Sequence, residues 1–257
     1  MPIVTERLIN RPVWFDLSTS DFAAAKALYA ELFGWTFGDS PAELGFYTMA
    51  FANGIPAAAV APKMPGQEAA SATWTVYFGV TDADVTLARI TAHGGTVMVP
   101  PMAIPPDLGR MAVAIDPGGA VFGLWEHGSF HGAGIEGEHG AMCWTEVACR
   151  NAAANAEFYA AVFGLRAERL PTAAVEYYML HDGEPAVAGV MQMDAAWEGI
   201  PPHWMPYFAV DSLGAANATL TKHGGKMLNG PIPSPHGKIM VVEDPQGAVF
   251  SYMSGNE

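Results

Sequence analysis

Asp16 and Glu146 stand 130 positions apart in matching surroundings, each two residues after a tryptophan, in Trp14-Phe15-Asp16-Leu17 and Trp144-Thr145-Glu146-Val147. Residues two apart in a strand share a face, so each acid shares one with an indole. A carboxylate in such a setting supports two kinds of chemistry. If burial raises its pKa, it is a general base that can take a proton from carbon beside a carbonyl. Otherwise it is a structural acceptor for backbone N–H groups or an arginine. His203, beside Trp204, would complete a metal site of two carboxylates and one imidazole with Asp16 and Glu146, or it is a hydrogen-bonded surface residue. His127, His131 and His139 lie in a glycine-rich stretch that reads as a flexible polar linker, where no regular element fixes the rings. Cys143 and Cys149 are six residues apart in one strand-like run, about 20 Å if extended, and read as small buried residues.

The elements that would position these residues repeat. Each Trp-containing strand precedes an alanine-rich helix with an aromatic end, Tyr29 to Phe33 then Gly34, and Tyr159 to Phe163 then Gly164. Trp74…Tyr77-Phe78-Gly79-Val80 matches Trp204…Tyr207-Phe208-Ala209-Val210, and His93-Gly94-Gly95 matches His223-Gly224-Gly225, at the same offset. Asp116-Pro117-Gly118-Gly119 and Asp244-Pro245-Gln246-Gly247 follow at an offset of 128. Landmarks in one order at a near-constant offset mark a tandem duplication. The chain divides into a first domain, 1–128, a Gly/His-rich linker, 129–140, and a second domain, 141–257. Each half reads as a pair of short βαβββ motifs. Strands are expected around Gly45–Ala50 and Ala57–Ala61, with helices at Phe22–Phe33 and Ala83–Ala92. The runs Pro100-Pro101…Pro105-Pro106 and Pro231…Pro233-Ser234-Pro235 are expected to be stiff loops.

Composition narrows the function. The 257 residues allow one large domain or two of about 100–150 residues. Twelve Lys+Arg against 26 Asp+Glu, for a net charge of −14, leave no basic stripe for nucleic acid. No stretch of about 18 apolar residues would enter a membrane, and a reduced, cytoplasmic protein is expected. No Ser-centred nucleophile elbow, P-loop or dinucleotide fingerprint occurs.

The opening strand–Asp21–helix–Phe33-Gly34-Trp35, the His93-Gly94-Gly95 turn and the Asp116-Pro117…Gly119…Phe122 finish, all repeated, resemble the glyoxalase/bleomycin-resistance/extradiol-dioxygenase group, the vicinal-oxygen-chelate superfamily. The resemblance covers nearly the whole chain and is nearest the tandem glyoxalase-like proteins common in actinobacteria, often labelled hydroxylases. It implies an α+β fold of tandem βαβββ motifs whose curled sheets form open cups for a small ligand. In metal-dependent relatives three positions hold a divalent ion. Here they carry Trp14, Thr75 and Gly123 in one half and Trp144, Met205 and Ser251 in the other, so no metal and no cofactor is expected. Trp14, Tyr77, Trp125, Trp144, Met205, Tyr207 and Met253 then face the cups, either as a lining for a flat ligand or as packed core. Arg110 and Lys238, at matching positions, would clamp a ligand carboxylate at a cup mouth or be solvated strand ends. Two functions follow. One is a metal-free protein binding a small, flat or apolar metabolite or drug, in a possible homodimer. The other is a lyase, isomerase or hydroxylase-type enzyme using Asp16 or Glu146 as base.

Overall fold

Each of the four α-helices among the described residues begins on a side-chain cap. Asp21 accepts from the Ala24 N–H at 3.0 Å, Asp82 from Val85 at 2.9 Å, Asn151 from Ala154 at 3.1 Å and Ser212 from Ala215 at 3.4 Å. Such caps satisfy one of the free N–H groups of a first turn. Gly34 and Gly164 end their helices at φ 68° and 69°, the left-handed conformation that glycine adopts without strain.

The computed structural model describes residues 3–4, 6–67, 70–171 and 175–255. Its first half contains β1 (Pro12–Thr19), α1 (Phe22–Phe33), β2 (Thr36–Phe37), β3 (Thr48–Ala52), β4 (Ile55–Pro62), β5 (Thr73–Val80), α2 (Ala83–Ala92), β6 (Thr96–Ile104), β7 (Gly109–Ile115) and β8 (Val121–His127). The second half repeats this order as β9 (Met142–Cys149), α3 (Ala152–Phe163), β10 (Arg166–Arg169), β11 (Tyr177–His181), β12 (Ala186–Gln192), β13 (His203–Ala209), α4 (Leu213–Lys222), β14 (Lys226–Ser234), β15 (Gly237–Glu243) and β16 (Val249–Ser254).

Each half contributes one eight-stranded mixed sheet, in the orders β2-β3-β4-β1-β5-β8-β7-β6 and β10-β11-β12-β9-β13-β16-β15-β14. Two βαβββ modules join in each through an antiparallel pair, β1 with β5 and β9 with β13. The fold is α+β, and both modules of a cup come from the same half.

The helix-bearing faces of the two sheets pack on each other. Phe33 lies 4.9 Å from Phe208 and Phe78 4.5 Å from Phe163, ring centre to ring centre, within one shared core. The turn aspartates lock this seam. Asp116 caps its own turn at the Ala120 N–H (2.9 Å) and accepts from Tyr159 Oη of the other half (2.8 Å). Asp244 does the same for Ala248 (2.8 Å) and Tyr29 (3.0 Å). Burial raises both carboxyls above the usual range, and these donors hold them part of the way back.

Three expectations are corrected. The proline runs expected to be loops lie largely in β6 and β14, the outermost strands, where a missing N–H costs no ladder bond. The strand expected from Gly45 starts at Thr48, because Ala42–Leu44 forms a 3-10 turn ending on Gly45 at φ 63°. The linker is held in place. Ala133 N–H donates to Val13 O, Gly134 to Pro56 O and Gly137 to Met142 O, each at 2.8 Å, while Arg7 holds His131 at 3.0 Å.

Candidate functional site

Alternation along β1 sends Phe15 and Leu17 into the shared core and leaves Trp14 and Asp16 on the opposite, concave face. Strand β9 treats Trp144 and Glu146 likewise. The register seats Asp16 beside Thr75 and Trp14 beside Tyr77, and Glu146 beside Met205 and Trp144 beside Tyr207.

Each carboxylate ends a chain of ring donors. In the first cup Trp14 Nε1–H donates to Tyr47 Oη at 2.7 Å, and Tyr47 O–H donates to Asp16 Oδ2 at 3.1 Å. In the second, Trp144 Nε1–H donates to Tyr177 Oη at 3.1 Å and Tyr177 O–H to Glu146 Oε2 at 2.7 Å. Tyr207 O–H reaches the other oxygen, Oε1, at 2.6 Å. Burial raises Asp16 to about 6, partly offset by the hydroxyls of Tyr77, Tyr47 and Thr75. Burial likewise raises Glu146, offset by Tyr207, Tyr177 and Trp144. The phenols beside them are all pushed up by burial, and so remain donors. Tyr47 and Tyr177 were missed from sequence, although they obey the same 130-residue offset as their partners.

Two glycines make room for these rings. A Cβ at Gly189 would sit 1.9 Å from Tyr177 Oη, and one at Gly123 would sit 2.0 Å from the Tyr77 ring.

Gly123 also decides how a metal would fit. It occupies one ligand position of metal-dependent relatives, and the Tyr77 ring already fills the space in front of it. The matching Ser251 hydroxyl is engaged with Met205 Sδ at 3.3 Å. Each cup therefore offers one carboxylate ringed by phenols, a donor set that does not fit a divalent catalytic ion. Among the described residues no group of three His, Cys, Asp or Glu side chains converges on a metal-sized site. Asp16 and Glu146 lie on different sheets, so the three-residue site with His203 does not form. His203 is turned to the carbonyl of Pro201 at 2.9 Å.

Arg110 and Lys238 are corrected. Each stands two residues before one that enters the shared core, Ala112 and Met240, and so shares its face on the helix side of the sheet. Arg110 pairs there with Asp84 (2.7 Å) and Glu126 (3.1 Å). Lys238 is exposed and faces Ser212, Leu213 and Gly214 at the start of α4. Cys149 is buried as expected, whereas Cys143 is only half-buried, and burial pushes both thiols up to about 12.

The cups differ in what covers them. Phe130, from the linker, stands edge-on to Trp14 (4.8 Å) and Trp125 (5.7 Å), and Trp125 Nε1–H donates to its carbonyl at 2.9 Å. With Leu108 and Met111 it closes the first cup around Trp14 and Trp125, which are 3% and 6% exposed. The second cup contains no comparable apolar cluster among the described residues. Trp144 and Met253, the counterparts of Trp14 and Trp125, remain half-buried along it, whereas Met205 and Tyr207 are buried as packed core and Tyr177 and Met179 are half-buried like Tyr47 and Met49 of the first cup.

This architecture places the chain in a family. Residues 11–124 and 142–252 each match the model of the glyoxalase/bleomycin resistance protein/dioxygenase superfamily, and the chain belongs to it. Its sequence is 38% identical to the provisionally named glyoxylase CFP32 of Mycobacterium bovis, over 98% of both chains. It is 36% identical to the anthracycline biosynthesis protein DnrV of Streptomyces peucetius, over 96% of this chain and 94% of that one. Among solved structures, the Mn(II)-bound glyoxalase of Novosphingobium aromaticivorans superposes with a TM-score of 0.66 at 16% identity, covering 97% and 83% of the two chains. The 2,3-dioxygenase LapB of Pseudomonas sp. KL28 gives 0.65 at 16%, covering 96% and 92%. At that identity the likeness is one of fold.

Proposed function

We propose that this chain binds a flat, largely apolar small molecule on the concave face of its second sheet, without a metal. The observation that carries the reading is the asymmetry of covering, in which Phe130 packs over Trp14 and Trp125 in the first cup while their counterparts Trp144 and Met253 in the second stay half-buried. Rings and thioethers hold such a ligand by stacking and dispersion. The Trp144–Tyr177–Glu146–Tyr207 chain would fix the rings before the ligand arrives, lowering the ordering cost of binding. The name of DnrV, an anthracycline biosynthesis protein, is consistent with a polycyclic ligand. The test is titration with the neutral aromatic 2-naphthamide, followed by tryptophan fluorescence. One site per chain is expected, weakened at least tenfold by Trp144→Ala and unchanged by Trp14→Phe. Binding that ignores Trp144 would overturn the reading.

A catalytic reading has one observation in its favour. Burial lifts both cup carboxyls toward the range in which a base works near neutral pH. Were Glu146 that base, 2-acetylnaphthalene would exchange its methyl protons with deuterated solvent on the protein, and Glu146→Gln would stop the exchange. No exchange above the solvent rate would leave the binding function alone.

A further inference from the structure

Between the first half, the linker and the rim of the second cup lies a cavity of about 370 Å³, lined by Arg11, Glu136, Met142, Cys143, Trp144 and Val187 among others. It falls within the usual size of small-molecule sites. Trp144 belongs to both linings, so the cavity meets the second cup at that ring.

Arg11 is the feature that needs a reason. The residue lines the cavity and is half-buried, and its guanidinium has no hydrogen-bond or ion-pair partner among the described residues, the Nε being shut off from solvent. Arg7, Arg110, Arg150, Arg166 and Arg169 each engage a carboxylate, a carbonyl or an imidazole, and Arg89 on α2 is exposed to solvent, so Arg11 is the one held half-buried without such a partner among the described residues. Acids outnumber bases 26 to 12 in this chain, so a half-buried guanidinium without a carboxylate is not for want of acids. Glu136 shares the cavity wall but forms no ion pair with Arg11.

The backbone aims this residue. Asn10 adopts φ 59°, and the segment is then pinned on both sides of β5's end, with Asn10 N–H donating to Gly79 O (2.7 Å) and Gly79 N–H to Arg11 O (2.9 Å). Gly79 is required, since a Cβ there would lie 2.2 Å from Leu8 O. The duplication does not reproduce the feature, because the position matching Arg11 is the fully buried Ala141. The Cys143 thiol nearby is protonated at neutral pH and adds no competing charge.

We infer that Arg11, supplied by the first half, receives the carboxylate of an aromatic monocarboxylate whose ring lies against Trp144 in the second cup. This deepens the binding function above and rests on it. A guanidinium presents paired N–H groups matched to the two carboxylate oxygens. Trp144, Met142 and Val187 supply the apolar wall, and Glu136 on the same rim disfavours a second negative charge.

The experiment compares 2-naphthoate with 2-naphthamide, which share a shape and differ in charge, by calorimetric titration of the full-length protein and its variants. Wild type is expected to bind naphthoate about tenfold more tightly, the order of one charge-assisted hydrogen bond. Arg11→Gln should abolish that preference while leaving naphthamide binding in place. Arg11→Lys should restore part of it. Trp144→Ala should weaken both probes. Equal affinities in wild type, or a preference that survives Arg11→Gln, would overturn this assignment and leave the second cup as the binding face. Failure of both probes to bind, or indifference to Trp144→Ala, would overturn the binding function and this assignment together.

Discussion

The two cups descend from one sequence pattern, and they differ in what became of their open side. In the first, Trp14 and Trp125 are buried under Phe130, and the cup has become a core. In the second, Trp144 takes the place of Trp14 and Met253 that of Trp125, and both stay half-buried. Beneath them the Trp–Tyr–carboxylate chain is nearly the same. An identical polar framework under a sealed face and under an open one is therefore scaffold first. What distinguishes the second cup is access, together with a cation reaching its rim from the other half.

The tryptophans give the largest test of that contrast. Trp14→Ala should cost about 3–5 kcal/mol of stability, the range for deleting a buried large aromatic. Trp144→Ala should cost less than half as much in denaturant unfolding, and show its main effect in ligand affinity. Equal stability costs would mean the cups are equally filled.

The pH profile comes next. Asp16 is raised to about 6 in the fold against 3.8 for the free side chain. Between those values the folded state holds the proton more tightly, so stability is greatest below pH 4 and falls as pH rises through 6. At about 1.4 kcal/mol per unit, the contribution is on the order of 3 kcal/mol. Glu146, Asp116 and Asp244 act in the same direction. Asp16→Asn should make the fall in stability from pH 4 to pH 7 shallower by removing its share. A slope identical to wild type would place Asp16 in contact with water.

Removing the plug should convert one cup into the other. Phe130→Ala should cost about 2 kcal/mol, less than a fully buried phenylalanine because the ring is half-exposed. It should also raise the number of 2-naphthamide sites in calorimetry from one to two. A single site in the variant would show that shape, beyond the plug itself, closes the first cup.

The smallest expected effect tests the framework. Tyr47→Phe and Tyr177→Phe each remove a hydroxyl that accepts from a tryptophan and donates to a carboxylate, two hydrogen bonds in all, and should each cost about 1–2 kcal/mol. Only Tyr177→Phe should also weaken the ligand, by a few fold.

Much of this was legible in the residues. The offset of 130 placed the tandem halves, and period-two alternation put Asp16 with Trp14, and Glu146 with Trp144, on the concave faces. Those are local properties, fixed by the pleat of a strand and by chain order. The same offset also connects Tyr47 with Tyr177, which went unnoticed because nothing local marks a tyrosine at the start of a strand as the partner of an acid 31 residues away.

Tertiary structure alone decided the rest. Strand parity depends on register, and register turned Arg110 and Lys238 to the helix side, where Asp84 and Glu126 take up Arg110. A glycine-rich linker with scattered histidines has no periodicity to read. Its order comes from long-range bonds, such as Ala133 to Val13 and Arg7 to His131, between residues more than 100 positions apart. That Phe130 closes one cup, and that Arg11 stands unpaired at the rim of the other, are consequences of where those bonds pin the chain.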